Sequence, residues 1–341
     1  MTGLLLALVL FLLVFAIAQI IRIYELSVKA SKRDEYVVTN KDNSNQGRLM
    51  LVFGIALLSS FVAMVVAWNP LALPKPSSLH GVEIDRLWDV SMGLIVVVFF
   101  IVQPILFWFA YKYRGKEGQK ASYIEHNNQL EFVWTIVPAI VLAGLIVYGM
   151  TTWSNLWNPD LDEEPIVIEI YGKQFGWTAR YSGKDNTLGN ANVRLIEGVN
   201  IIGVDTLDPA SQDDIIASEL HLPVGKPIKF VFRAQDVIHS AYMPHFRAQM
   251  NCVPGAQTSF QFTPTITTQE IRTDPDVIKK VERINKIRLA SGKEFYEYDY
   301  LLLCNKVCGS AHYNMQMSLI VETEAEYTNW LSEQKTVKES I

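Results

Sequence analysis

The residues best suited to chemistry lie near the C-terminus, in the run Cys304-Asn305-Lys306-Val307-Cys308-Gly309-Ser310-Ala311-His312-Tyr313-Asn314-Met315. Two thiols, an imidazole and a thioether fall within twelve residues, at spacings of four, four and three. All are soft or borderline ligands, a set that favours copper over zinc, calcium or magnesium. Such a cluster needs a ligand from elsewhere to close a cage. His239, in Asp236-Val237-Ile238-His239-Ser240, is the candidate. Taken alone, a histidine at a strand end is more often structural; the ligands downstream reverse that reading. Two thiolates, two imidazoles and a thioether exceed what one tetrahedral ion needs. A single-copper electron-transfer site uses one cysteine, two histidines and a weak axial methionine. The second cysteine lets both thiolates bridge two copper ions, each with one histidine and one weak axial ligand. Ligand arithmetic thus favours a binuclear site.

The elements that must carry this cluster divide the 341 residues into two halves. Residues 1–157 are dominated by apolar runs, and 158–341 read as a polar, β-rich domain. A bilayer crossing takes about 20 apolar residues. Four segments qualify: Gly3–Ile23, Leu49–Trp68, Met92–Tyr111 and Phe132–Trp153. No lysine or arginine precedes the first, which therefore reads as a retained helix rather than a signal peptide. The loop after the first helix carries Arg22, Lys29, Lys32, Arg33, Lys41 and Arg48, and that after the third Lys112, Arg114, Lys116 and Lys120. The loop after the second has only Lys75 and Arg86. Basic loops stay cytoplasmic, so both termini and the polar domain are expected outside, on the periplasmic side of a bacterial inner membrane. There a bare pair of cysteines tends toward disulfide unless a metal holds it.

Short β-rich runs recur at Ile166–Tyr171, Trp177–Tyr181, Pro227–Arg233, Thr258–Phe262, Tyr298–Leu303 and Met317–Val321. In the third, Ile228, Phe230 and Phe232 share one face. Such spacing predicts a sandwich or barrel, with the ligand cluster on the loop between the last two strands. Asp274–Ser291 has helical spacing, with Val277, Val281, Ile284 and Ile287 or Leu289 on one face. Its default is an amphipathic helix packed on the sandwich; the alternative is a docking surface. Glu324–Glu333 reads as a final helix pinned by Tyr327, Trp330 and Leu331. The three cysteines are too few for a disulfide scaffold, and Cys252 reads as a small buried side chain. A net charge of −5 with no dense basic run excludes a nucleic-acid partner from the expectations.

The pattern Cys-x3-Cys-Gly-x2-His-x2-Met resembles subunit II of cytochrome c oxidase and its CuA centre. So do Asp236-Val-Ile-His239-Ser240, Pro244 and Val253-Pro254-Gly255, and the stretch Glu125–Pro138 that opens the last membrane helix. The resemblance runs from about Leu87 to Leu331. It implies a cupredoxin-like β-sandwich beside the four transmembrane helices, and two copper ions. Cys304 and Cys308 would bridge both ions, and His239 and His312 would each bind one. Met315 and the carbonyl of Lys306 would be the axial ligands. Electrons would come from a cytochrome c, or a haem domain of a partner complex, and pass to haem a in subunit I. There oxygen is reduced to water and protons are pumped. Phe175 and Trp177 would receive the electron. Glu131 would stand at the mouth of a proton path in subunit I; its bland reading is an interfacial carboxylate that anchors the helix. The catalytic centre itself would lie on subunit I.

Several positions depart from the family pattern. Two helices precede the usual pair, and Asp274–Ser291 looks like an insertion. Lys306 stands where a glutamate is usual, and an ammonium cannot coordinate a hard cation. That puts the family's magnesium or manganese site in question; the lysine ammonium is expected to take the cation's place. Phe175 replaces a tryptophan in Gln174-Phe175-Gly176-Trp177, and Asn251 replaces an aspartate. No CxxCH motif is present, so the haem donor is a separate protein or domain. His80, His126, His221 and His245 carry no ligand role. Two rival functions are a membrane-anchored copper carrier or thiol–disulfide protein, and the CuA subunit of a nitric oxide reductase.

Overall fold

The computed structural model describes residues 2–30, 38–69, 72–157 and 163–341. Lys32, Arg33 and the expected domain boundary at Asn158 lie outside the described residues. Four long helices are present: α1 (Thr2–Ala30), α2 (Asn40–Trp68), α3 (Leu79–Lys112) and α4 (Asn128–Trp157). Each is long and apolar enough to cross a membrane. All outrun their apolar cores. The largest difference is at α3, which starts at Leu79 rather than Met92. Glu83, Asp85, Arg86 and Asp89 occupy its first turns. Hydropathy sees only the part of a helix that lies in lipid, whereas helical hydrogen bonding continues beyond it.

The chain forms two compact units, residues 1–67 with 95–128, and residues 68–94 with 129–341. In the first, α2 and the later part of α3 pack closely. A Cβ at Gly54 would lie 2.6 Å from the Phe107 ring, and Phe61 meets Phe99 at 5.0 Å between centroids.

The second unit holds two five-stranded sheets, with strands β1 (Ile166–Lys173), β2 (Gly176–Tyr181), β3 (Ile215–Ala217), β4 (Leu220–Pro223), β5 (Ile228–Ala234), β6 (His239–Met243), β7 (Ala248–Cys252), β8 (Thr258–Phe262), β9 (Tyr300–Cys304) and β10 (Gln316–Glu322). One sheet runs β3-β2-β1-β5-β8 and the other β4-β10-β9-β6-β7. The core lies between their inner faces. Ile168, Ile170, Phe230, Phe232, Leu302 and Leu319 are almost fully buried there. The alternation read in β5 holds, with Ile228, Phe230 and Phe232 inside and Lys229 outside. Strands β3, β4, β6 and β7 were not expected. Strands β3 and β4 are three and four residues long, too short for alternation to stand out, and β6 and β7 contain no β-branched residue. The strand expected at Tyr298 begins at Tyr300.

The segment before α3 is stitched into the sandwich. Ser77 N–H donates to the His245 carbonyl at 2.7 Å, and Thr265 N–H donates to the Ser77 carbonyl at 2.9 Å. Arg247 makes a two-pronged pair with Asp85 at 2.8 Å per contact and donates to the Pro74 carbonyl. His245 is buried between the Lys75 carbonyl and the Tyr298 hydroxyl, and burial lowers its pKa to about 4. It is a neutral structural histidine.

Four short or medium helices complete the domain: α5 (Thr268–Ile271), α6 (Pro275–Ala290), α7 (Glu324–Glu333) and α8 (Val337–Ser340). Helix α6 is the expected amphipathic segment, with Asp274 as its N-cap and Pro275 in its first turn. Its buried face differs from expectation. Val277 and Asn285 are buried, whereas Ile287 and Leu289 are exposed. Asn285 takes the inner position because its amide satisfies both backbone groups of Tyr296, which no aliphatic side chain can do. Helix α7 matches its expected span. A Thr323–Glu326 capping box starts it, and Trp330 stacks on His221 at 4.0 Å.

Candidate metal centre

His239 opens β6 and Cys304 closes β9, and these strands are neighbours in one sheet. Cys304 N–H donates to the Met315 carbonyl at 3.0 Å and Asn305 N–H to the Ser240 carbonyl at 2.9 Å. The intervening loop is thereby closed at its neck. A 3-10 turn at His312–Asn314 folds His312 and Met315 back over Cys308.

Five sequence-expected ligands converge with Lys306. The two Sγ atoms are 3.8 Å apart. Cys304 Sγ lies 3.9 Å from His239 Nδ1 and 3.2 Å from the Lys306 carbonyl oxygen. Cys308 Sγ lies 3.6 Å from His312 Nδ1 and 3.7 Å from Met315 Sδ. The donor atoms of His239, Cys304 and Cys308 all lie within 4.8 Å of one another. Both cysteines are free thiols, with a separation far beyond a disulfide bond of ~2.05 Å. It suits shared metal ligands, because two sulfurs ~2.3 Å from one ion at a tetrahedral angle lie about 3.8 Å apart. One imidazole faces each thiol, with a carbonyl on one side and a thioether on the other. The donor set fits copper.

His239, Cys308 and Met315 are buried. Burial first, and then Cys304, push the Cys308 thiol up to about 11. A metal bound there displaces that proton.

Three supporting residues stand out in the sequence only as parts of motifs. Asp236 Oδ1 lies 2.8 Å from His239 Nε2. With Nε2–H donating to the carboxylate, Nδ1 keeps its lone pair facing Cys304. Burial alone would raise the Asp236 pKa, but hydrogen bonds from Gln174 N–H, His239 and Val237 N–H hold it below the usual carboxylate value. The Gln174 side chain donates to the Cys308 carbonyl. Gly309 sits at φ +143°, where a Cβ would meet the Gln174 amide and the Phe175 ring at 2.8 Å. Asp236→Asn removes the charge but not the shape. Loss of such an outer contact weakens metal binding 10–100-fold, so chelator competition on the copper-loaded protein is expected to show a drop of about tenfold or more.

Trp177 is buried, with its ring edge-on to His239 at 5.9 Å. Its indole Nε1 has no hydrogen-bond partner among the described residues. Phe175 is half-exposed, on the turn between β1 and β2 and against Gly309. The Lys306 side chain is exposed, and only its carbonyl faces the thiols. Glu131 lies in the first turn of α4, away from this cluster in sequence and element. Cys252 is fully buried on β7 opposite His239; burial raises its thiol to about 12.

Comparison with known proteins fits this arrangement. The cytochrome c oxidase subunit II transmembrane-domain model matches residues 63–151, which include α3 and most of α4. The subunit II periplasmic-domain model matches residues 166–269. The alternative cytochrome c oxidase subunit 2 of Bradyrhizobium diazoefficiens is 32% identical over 271 residues, covering 79% of this chain and 84% of that protein. Cytochrome c oxidase subunit 2 of Synechocystis is 22% identical over 300 residues, covering 82% of this chain and 81% of its own. A crystal structure of the periplasmic domain of subunit II of cytochrome oxidase (CoxB) of Bradyrhizobium japonicum covers 51% of this chain and 94% of its own at 20% identity, with a TM-score of 0.30, too low to bear on the fold. The helices and the sandwich thus match the family in its own order, and α1 with most of α2 stands before the matched region. The chain belongs to the cytochrome c oxidase subunit II family and is a multi-pass inner-membrane subunit of an oxidase complex, with its β-sandwich on the periplasmic side.

Proposed function

We propose that this chain is the electron-receiving subunit of its oxidase. Cys304, Cys308, His239, His312, Met315 and the Lys306 carbonyl hold two copper ions. Electrons come from a cytochrome c, or a haem domain of a partner respiratory complex, and leave to haem a of subunit I. Oxygen is reduced to water there and protons are pumped. The observation that carries this reading is the 3.8 Å thiol pair with one imidazole facing each sulfur. When bound, a copper pair at these residues would supply a one-electron carrier.

The chain's residues do the remaining work. Strands β6 and β9 hold His239 and Cys304 on a rigid sheet, so little rearrangement accompanies a change of charge. Buried Met315 and Trp177 exclude water from one side. Asp236 orients His239. Val307 and Tyr313 project from the metal loop and are 83% and 88% exposed. With Phe175, Val237 and Ile238 they form an apolar rim suited to transient docking. Phe175, on that rim, and Trp177, buried edge-on against His239, are the electron-receiving side chains. Glu131 serves at the mouth of the proton path in subunit I.

The docking role is tested in the purified oxidase with reduced cytochrome c as donor. Val307→Glu is expected to lower kcat/KM about tenfold while kcat at saturation is kept; an unchanged kcat/KM would refute it. Lys306 is exposed and contributes only its carbonyl, so Lys306→Ala should leave copper content unchanged. Lys306→Glu restores a hard ligand and is expected to create a manganese signal that the native protein lacks. A manganese signal in the native protein would show that the ammonium does not replace the cation.

A further inference from the structure

At the periplasmic end of α3 and α4 lies a cavity of about 140 Å³, lined by residues with polar side chains: Glu83, Arg86, Tyr148, Thr151, Thr152 and Asn155. The α4 members fall at i, i+3, i+4 and i+7, and so form one stripe along the helix. They follow the apolar run Ile136–Val147. Trp153 and Trp157 flank the stripe on the same helix, as aromatic residues do at the level of lipid headgroups. The side chains of Glu83, Arg86 and Asn155 have no hydrogen-bond or ion-pair partner among the described residues. An unpaired carboxylate and an unpaired guanidinium thus border one cavity at the edge of the membrane.

We infer that this cavity binds the headgroup of a phospholipid carrying a primary ammonium, phosphatidylethanolamine in chemical class. Orientation is the first reason. Helix α3 runs inward from the periplasm, so Glu83 lies three residues, about 4.5 Å, outside Arg86. In such a lipid the ammonium lies outside the phosphate. The guanidinium therefore meets the phosphate and the carboxylate meets the ammonium. The threonines are the second reason. Thr151 Oγ1 and Thr152 Oγ1 both donate to the Tyr148 carbonyl, at 2.7 and 3.2 Å. Their protons are spent, and they present acceptor lone pairs to the cavity. Acceptors beside a carboxylate suit N–H donors. A choline headgroup has none, and a glycerol headgroup lacks the positive charge.

The test uses the purified oxidase complex in nanodiscs of phosphatidylethanolamine, phosphatidylcholine or phosphatidylglycerol, followed by detergent extraction and native mass spectrometry. Retained phosphatidylethanolamine is expected to exceed either other lipid. Glu83→Gln and Arg86→Gln are each expected to cut its retention about tenfold or more, as loss of one charge-assisted contact does. Arg86→Lys should retain it. Copper content and subunit composition, unchanged across the variants, confirm that each has assembled. Equal retention of the three lipids, equal retention in the Gln variants, or a neighbouring subunit's side chain cross-linked at Glu83 would each overturn the inference.

Discussion

Substitution of Cys304 by serine is expected to abolish the metal centre. Cys304 is the hinge of the donor set, with His239 on one side, Cys308 on another and the Lys306 carbonyl at 3.2 Å. A hydroxyl is a hard, weakly acidic group and does not replace a bridging thiolate for copper. Loss of a mere outer contact already costs up to about a hundredfold in metal affinity, so the ligand itself must cost more. Bound copper should fall from two ions to one or none, and turnover with an external donor to the level of the copper-free oxidase. Cys304 is partly exposed at a strand end, so the fold should survive, and circular dichroism of the variant should match the wild type. Two tightly held coppers in the Cys304→Ser protein would show that the bridge is misassigned.

The second large effect lies across the sandwich, in a charge cluster buried among β1, β2 and β5. Arg180 Nε lies 2.6 Å from Glu169 Oε2, an ion contact without hydrogen-bond alignment. Its Nη1 lies 3.2 Å from Asp214 and donates to the Gly189 carbonyl at 2.9 Å. Arg233 pairs with the other side of Glu169. Arg180→Met leaves Asp214 without a cation and a carbonyl without its donor, while Glu169 keeps only Arg233. Removing one partner of a buried pair costs about 3–5 kcal/mol, readable by chemical denaturation of the periplasmic unit in the full-length protein. Burial, outweighing the pull of Arg180, raises Asp214 to about 7. An acid with a raised folded-state pKa binds its proton more tightly when folded. Its stabilising share is complete below an unfolded value near ~3.9 and is lost as pH rises through about 7. The unfolding midpoint should therefore fall between pH 5 and pH 8, and Asp214→Asn should flatten that fall.

The membrane helices were legible because apolar length is a strong signal, yet their ends were not. Glu83, Asp85, Arg86 and Asp89 belong to α3 but carry no hydropathy. Strand β5 showed its alternation, and β1, β2, β8, β9 and β10 stood out as β-rich runs. Strands β6 and β7, equal in length to β8 but without a β-branched residue, did not, although β6 carries His239. That ligand was found from its motif and from the need to close a cage, not from its strand. Within the site, Cys304 to Met315 could be read because four ligands sit in one loop. Asp236 was visible only as part of a motif, because its contact with the far nitrogen of His239 depends on β6 geometry. Gln174 is 134 residues from Cys308 in sequence, and only the folded sandwich shows that its amide holds the Cys308 carbonyl. Helix α6 shows the opposite limit. Periodicity found the helix but placed Ile287 or Leu289 inside, where the unsatisfied backbone of Tyr296 requires Asn285.

The most direct test of the copper reading is electron paramagnetic resonance on the full-length, copper-loaded protein in detergent, with copper counted in the same sample. Two coppers per chain, and one unpaired electron with hyperfine splitting from both nuclei, is the predicted result. A signal split by a single copper nucleus, one copper per chain, or zinc in its place would contradict a thiolate-bridged pair at Cys304 and Cys308.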